Sequence, residues 1–163
     1  MSQDNNETEF TFKAWEKTVD VQMHFNDLCL KVRSFAVSLL GVLLGGAAIS
    51  YRYGGDVSLW SFSFPVAAIF ISISIIIWLA FYSMDRYWYH ELLRGAVNHG
   101  RLLEQSLKDS VSNISLAASI REASHASLNK NAASKLKWFY FTILVVQLIA
   151  LFVVICGSIA VKG

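Results

Sequence analysis

The chain has 163 residues, of which 55% are hydrophobic and 16% charged, with a net charge of +2 and a mean hydropathy of +0.45. That balance is too apolar for an ordinary soluble domain of this size and points to a membrane protein. Two cysteines, Cys29 and Cys156, are expected at different depths and give no disulfide framework.

The chain opens on a polar stretch, residues 1–8, read as lacking structure of its own. "EFTFK" then alternates, with Phe10 and Phe12 on one side, which fits a very short strand or an aromatic anchor. From Ala14 to Val32 the period becomes helical: Ala14, Val21, Phe25, Leu28 and Val32 share a face, and Asp27 and Lys31 form an i,i+4 pair. This predicts an amphipathic helix leading into the membrane.

Three stretches lack Asp, Glu, Lys and Arg: Ser34 to Tyr51, Val57 to Met84 and Trp138 to Val161. At about 1.5 Å of rise per residue, each covers most or all of a hydrocarbon core of roughly 30 Å. In the first, Ser34, Ser38, Gly41, Gly45 and Ala48 lie in one narrow arc, and Gly41 and Gly45 make a G-x-x-x-G pattern suited to close helix contact. The second holds the only proline, Pro65, with Ser58, Ser61, Ser72 and Ser83 on its side. In the third, Tyr140, Gln147, Val154 and Ser158 share a side, with Gln147 near mid-depth.

Between the second and third spans, Leu92, Leu93, Ala96, Leu103 and Leu107 form an apolar stripe. Gly95 and Gly100 inside it are expected to mark close packing or a bend. A second helix is expected from near Ser119 into the third span. Tyr82, Tyr87, Trp88, Tyr89 and Trp138, with Tyr140, read as an interfacial aromatic belt, matched at the opposite boundary by Tyr51, Tyr53 and Trp60.

Lysine and arginine resist translocation. Four precede the first span, eight lie between the second and third, and only Arg52 and Lys162 fall elsewhere. The fold expected is therefore all-α, with three transmembrane helices, an N-terminal cytoplasmic amphipathic helix (1–33), a transmembrane hairpin (34–83), a helical cytoplasmic insert (84–137) and a third span with a short outer tail (138–163). The N-terminus faces in and the C-terminus out.

The stretch "MDRYWYHELLRGAVNHGR" brings two histidines, two acids and three arginines close together, residue types that catalysis or metal binding uses. "HELLR" departs from H-E-x-x-H because Arg94 replaces the second histidine, and His90 and His99 fall on opposite sides of a helix. No phosphate-cradling glycine loop, nucleophile elbow or carboxylate pair is present, so neither an enzyme nor a metal or cofactor is expected. The surplus of basic residues fits either orientation bias alone or an anionic ligand. The candidate ligand residues are Lys31, Arg33, Arg94 and Arg101, with Trp15 and Phe25 as stacking surfaces. Gly41, Gly45, Ser61, Ser72 and Gln147 are candidates for a pore lining or for interhelical packing.

"VDVQMHFNDLCLKVRSF" and "DRYWYHELLRGAVNHG", with three spans and a cytoplasmic insert, resemble the small membrane effectors of prokaryotic anti-phage defence of the Hailong type. The resemblance implies an oligomeric inner-membrane ion channel, such as a tetramer, that depolarises the cell or arrests growth. It also implies a single-stranded DNA oligomer or nucleotide signal as ligand and a nucleotidyltransferase partner. The alternative from another class is a non-conducting scaffold or assembly protein that binds a cytoplasmic partner and anionic lipids.

Overall fold

A computed structural model describes residues 2–60, 62–111, 114–128 and 132–162. The chain is predominantly helical, and three of its helices are long and apolar enough to cross a membrane. In order, α1 spans Ser2–Tyr53, β1 Asp56–Leu59, β2 Phe62–Pro65, α2 Val66–Met84, a π-helical turn Asp85–Tyr89, α3 His90–Leu107, α4 Leu116–Leu128 and α5 Ala132–Lys162. Two compact units divide these elements: a polar one (Met1–Lys31, Asp85–Lys135) and an apolar one (Val32–Met84, Leu136–Gly163).

α1 is one helix of 52 residues, so the strand expected at "EFTFK" does not form. A lone strand there would leave its backbone donors unpaired, whereas the helix satisfies them internally. Thr11 also donates to the Glu7 carbonyl at 2.9 Å, and Lys13 meets Glu9 at 2.6 Å. The helix stops at two glycines. Gly54 N–H returns to the Ser50 carbonyl at 2.8 Å, and Gly55 takes φ +61°, a left-handed conformation that glycine reaches without steric cost.

The second apolar stretch divides where one span from Val57 was expected. β1 and β2 pair as an antiparallel hairpin in register Asp56↔Pro65, Val57↔Phe64, Ser58↔Ser63 and Leu59↔Phe62. Pro65 ends β2 instead of lying inside a span, and α2 begins at the next residue. Proline lacks the N–H an interior helix position needs, and it restricts the residue before it to extended backbone. The remaining helix has 19 residues, about 28 Å at the α-helical rise.

The core of the apolar unit is built on Trp78 and Tyr140 with Ala36 and Leu136. The Trp78 indole, 1% exposed, donates to the Tyr140 carbonyl at 2.9 Å, and the two rings stack with centroids 4.8 Å apart. Tyr82 packs on Tyr140 at 5.2 Å, and Phe35 meets Phe81 edge-on at 5.8 Å. Neither Cys29 nor Cys156 is in a disulfide. The helix expected from near Ser119 into the third span is seen as α4 from Leu116 and as α5 from Ala132, and residues 129–131 between them lie outside the described set.

Candidate functional site

In the polar unit, α1 lies along α3 through polar contacts. Gln22 Nε2 donates to the Ala96 carbonyl at 3.2 Å, and Trp15 Nε1 donates to Glu104 Oε1 at 3.3 Å. Between them, a Cβ built on Gly100 would stand 2.5 Å from Gln22 Nε2 and 3.6 Å from Thr18 Cγ2. Ascending positions 15, 18 and 22 thus meet descending positions 104, 100 and 96, so the two helices run antiparallel here. The contact face is rotated from the apolar one expected: Ala14 and Val21 are exposed, Phe25 and Leu28 half-buried, and Cys29 fully buried. Polar side chains could take the inner positions because each reaches a partner. Gly100 marks close packing, whereas Gly95 faces open space and Leu92 is exposed.

Glu104 is the hub of this unit. It is 8% exposed, and both its carboxylate oxygens accept from Ala117 N–H, at 3.1 and 3.3 Å, in the first turn of α4. The carboxylate thereby caps a helix end whose N–H groups have no partners within the helix. Beside it opens a groove of about 750 Å³ between α3 and α4, lined by Arg101, Lys108, Gln105, Ser115 and Glu122 together with the apolar Val111, Ile114 and Ala118.

The ligand candidates do not converge. Lys31 pairs with Asp27 at 2.7 Å, and Arg94 lies 3.5 Å from Glu91. Trp15 spends its N–H on Glu104, and Phe25 is half-buried beside His24. Arg33 belongs to the apolar unit. Only Arg101 lines the groove, and the structure adds Lys108, the residue that caps the C-terminal end of α3. Sequence reasoning missed Glu104. Its signal was a carboxylate set four residues after Gly100 and three before Leu107, inside an apolar stripe.

The π-helical turn was also missed. Its first residue, Asp85, is 0% exposed and engaged in interactions. Arg86 donates to Glu91 at 2.7 Å, and that hydrogen bond, more than the nearby charge of Arg94, holds the Glu91 carboxyl below its ordinary value. Among the described residues, no three His, Cys, Asp or Glu side chains are grouped so as to hold a metal ion.

In the apolar unit, Ser34, Ser38, Gly41, Gly45 and Ala48 are all exposed, and a Cβ at Gly41 or Gly45 would meet nothing within 4 Å. The close approach inside this chain is at Gly46 instead, where a Cβ would stand 3.1 Å from the Phe70 ring. Of the polar side chains on α2, the candidate Ser72 is half-buried and Ser74 is buried. Ser72 donates to the Ala68 carbonyl at 2.8 Å, and Ser74 to the Ile71 carbonyl at 2.7 Å. Gln147 is 1% exposed, and neither its Nε2 nor its Oε1 has a hydrogen-bond partner. Ser61 lies outside the described residues.

Of the belt aromatics, Tyr87, Trp88 and Trp138 are exposed. Tyr82 and Tyr89 are half-buried, and Tyr140 belongs to the core, because its ring and carbonyl both serve Trp78. No protein-family model, curated protein or solved structure matches this chain.

Proposed function

We propose that the chain forms a homo-oligomeric membrane channel, with the small-residue face of α1 turned toward neighbouring copies and the shared conduit. The observation that carries this reading is the exposure of Ser34, Ser38, Gly41, Gly45 and Ala48 together. Their spacing alternates between four and three residues, as in helices that wrap on one another, and the stripe runs about 21 Å along the helix. Hydroxyls and glycine backbone at these positions supply a polar wall that no other described span face offers. In this reading the N-terminus and the polar unit lie in the cytoplasm of a bacterial cell, beneath its inner membrane, an orientation that the distribution of Lys and Arg supports.

Gating belongs, in this reading, to an anionic cytoplasmic ligand met by Arg101 and Lys108. A single-stranded DNA oligomer is the ligand, and a nucleotidyltransferase the partner, that the likeness to anti-phage effectors suggests. Recognition through phosphates fits the groove better than base stacking, since no aromatic side chain is among its lining residues.

The second reading is a non-conducting scaffold. It is favoured by the burial of Ser74 and Gln147, which removes two polar groups from any pore wall. Ion flux from liposomes carrying the purified protein, with and without short single-stranded DNA and nucleotide messengers, separates the two. Flux that responds to the oligonucleotide and is lost in Ser38→Leu supports the channel. Absence of flux from folded, inserted protein under every condition supports the scaffold.

A further inference from the structure

The hairpin joining α1 to α2 carries an apolar face that stays partly exposed. By register, Val57 and Phe64 share one face, and Ser58 and Ser63 the other. Val57 and Phe64 are exposed, as are Tyr51 and Tyr53 at the end of α1. Trp60 at the tip is 98% exposed and takes φ 53°. Such a backbone suits Asn or Gly and is rare for a bulky side chain, so turn stability does not account for tryptophan there. The only charged residue of the hairpin is Asp56, at its base.

We infer that this hairpin is a lipid-contacting element, seated in the headgroup layer with the 57/64 face and Trp60 turned toward the acyl chains and Ser58 and Ser63 toward water. The inference rests on the chain crossing a membrane. Both ends of the hairpin continue directly into helices apolar enough to do so. α2, at about 28 Å, already spans a hydrocarbon core of roughly 30 Å, which places the hairpin at its boundary. A two-stranded sheet has open edges whose N–H and C=O groups cannot enter hydrocarbon, so the hairpin cannot go deeper. Tryptophan, tyrosine and phenylalanine are the side chains that favour the layer between. The hairpin therefore fixes the depth of α1 and α2 from the end where they are joined.

The test is site-directed spin labelling of the full chain in liposomes. Cys156→Ala removes the exposed thiol, and the buried Cys29 is left in place. Nitroxides are attached one at a time in V57C, S58C and W60C, with V42C, an exposed position of the α1 span, as reference. Collision with oxygen reports lipid, and collision with a water-soluble nickel chelate reports water. The expected result is an oxygen-to-nickel ratio several-fold higher at 57 and 60 than at 58, and highest at 42. Nickel accessibility at 57 and 60 equal to that at 58, with 42 in lipid, overturns the inference. Shielding of 57 and 60 from both reagents also overturns it and gives that face to a second copy of the chain. If 42 itself is open to nickel, the membrane premise fails first and the hairpin inference with it.

Discussion

The Glu104 carboxylate accepts Ala117 N–H through both oxygens, at 3.1 and 3.3 Å, while Oε1 also receives the Trp15 indole at 3.3 Å. One buried acid thus ties α1, α3 and the start of α4. Replacing Glu104 by Ala removes a helix cap and leaves an indole N–H unpaired. The expected cost is about 1–3 kcal/mol, read as a lower thermal midpoint in detergent and faster hydrogen exchange at the first turn of α4. Glu104→Gln, which keeps an acceptor, should lose less.

The two glycines of α3 should respond oppositely. Gly95→Ala meets open space and gains helix propensity, so it should stabilise by about 0.5–1 kcal/mol. At Gly100, a methyl group would stand 2.5 Å from Gln22 Nε2 and must displace it from Ala96. Gly100→Ala should therefore lower stability despite its better propensity. Equal responses at the two sites would contradict the packing described.

Trp78→Ala should be the most damaging substitution in the apolar unit, at roughly 3–5 kcal/mol, because it empties the centre of the core and frees the Tyr140 carbonyl. Trp78→Phe keeps ring packing and loses the hydrogen bond, for about 1 kcal/mol. Denaturant or thermal titration of detergent-solubilised protein ranks the two.

Gln147 separates stability from function. Its amide is buried with neither atom hydrogen-bonded, so Gln147→Leu should hold or raise stability by up to about 2 kcal/mol. In the liposome assay, the channel reading with α1 lining the conduit predicts flux close to wild type. Loss of flux in a stable Gln147→Leu protein would move the conduit to α5.

The Arg86–Glu91 pair sets a pH dependence in the turn leading to α3. The Glu91 pKa is lowered in the folded state, chiefly by the hydrogen bond from Arg86. Its contribution is therefore present above the ordinary carboxylate value and disappears as the pH falls through the lowered one. Glu91→Gln should flatten that part of the acid-side stability curve, with a small effect because the pair is near solvent.

The sequence by itself determined the three apolar helices and the polar character of the segments around them, because charge exclusion over some 20 residues is a local property that hydropathy records directly. It marked Gly95 and Gly100 alike as close packing or a bend, and only at Gly100 does the structure show a close approach. It misplaced the start of the second span: Val57 to Phe64 are as free of charge as the helix that follows, and charge exclusion does not distinguish a hairpin from a helix when Pro65 is taken as interior.

Only the tertiary structure decided which faces meet. Trp15 and Gln22 displaced Ala14 and Val21 from the α1–α3 contact because hydrogen bonds to Glu104 and Ala96 made their burial favourable, a pairing across more than 70 residues that no local pattern contains. The same limit applies within the spans. Ser, Gly and Gln at helical spacing read alike as packing or lining, and folding assigned Gln147 to the interior and Gly41 and Gly45 to the surface. Burial is a relation between segments, and the chemistry of a residue alone does not carry it.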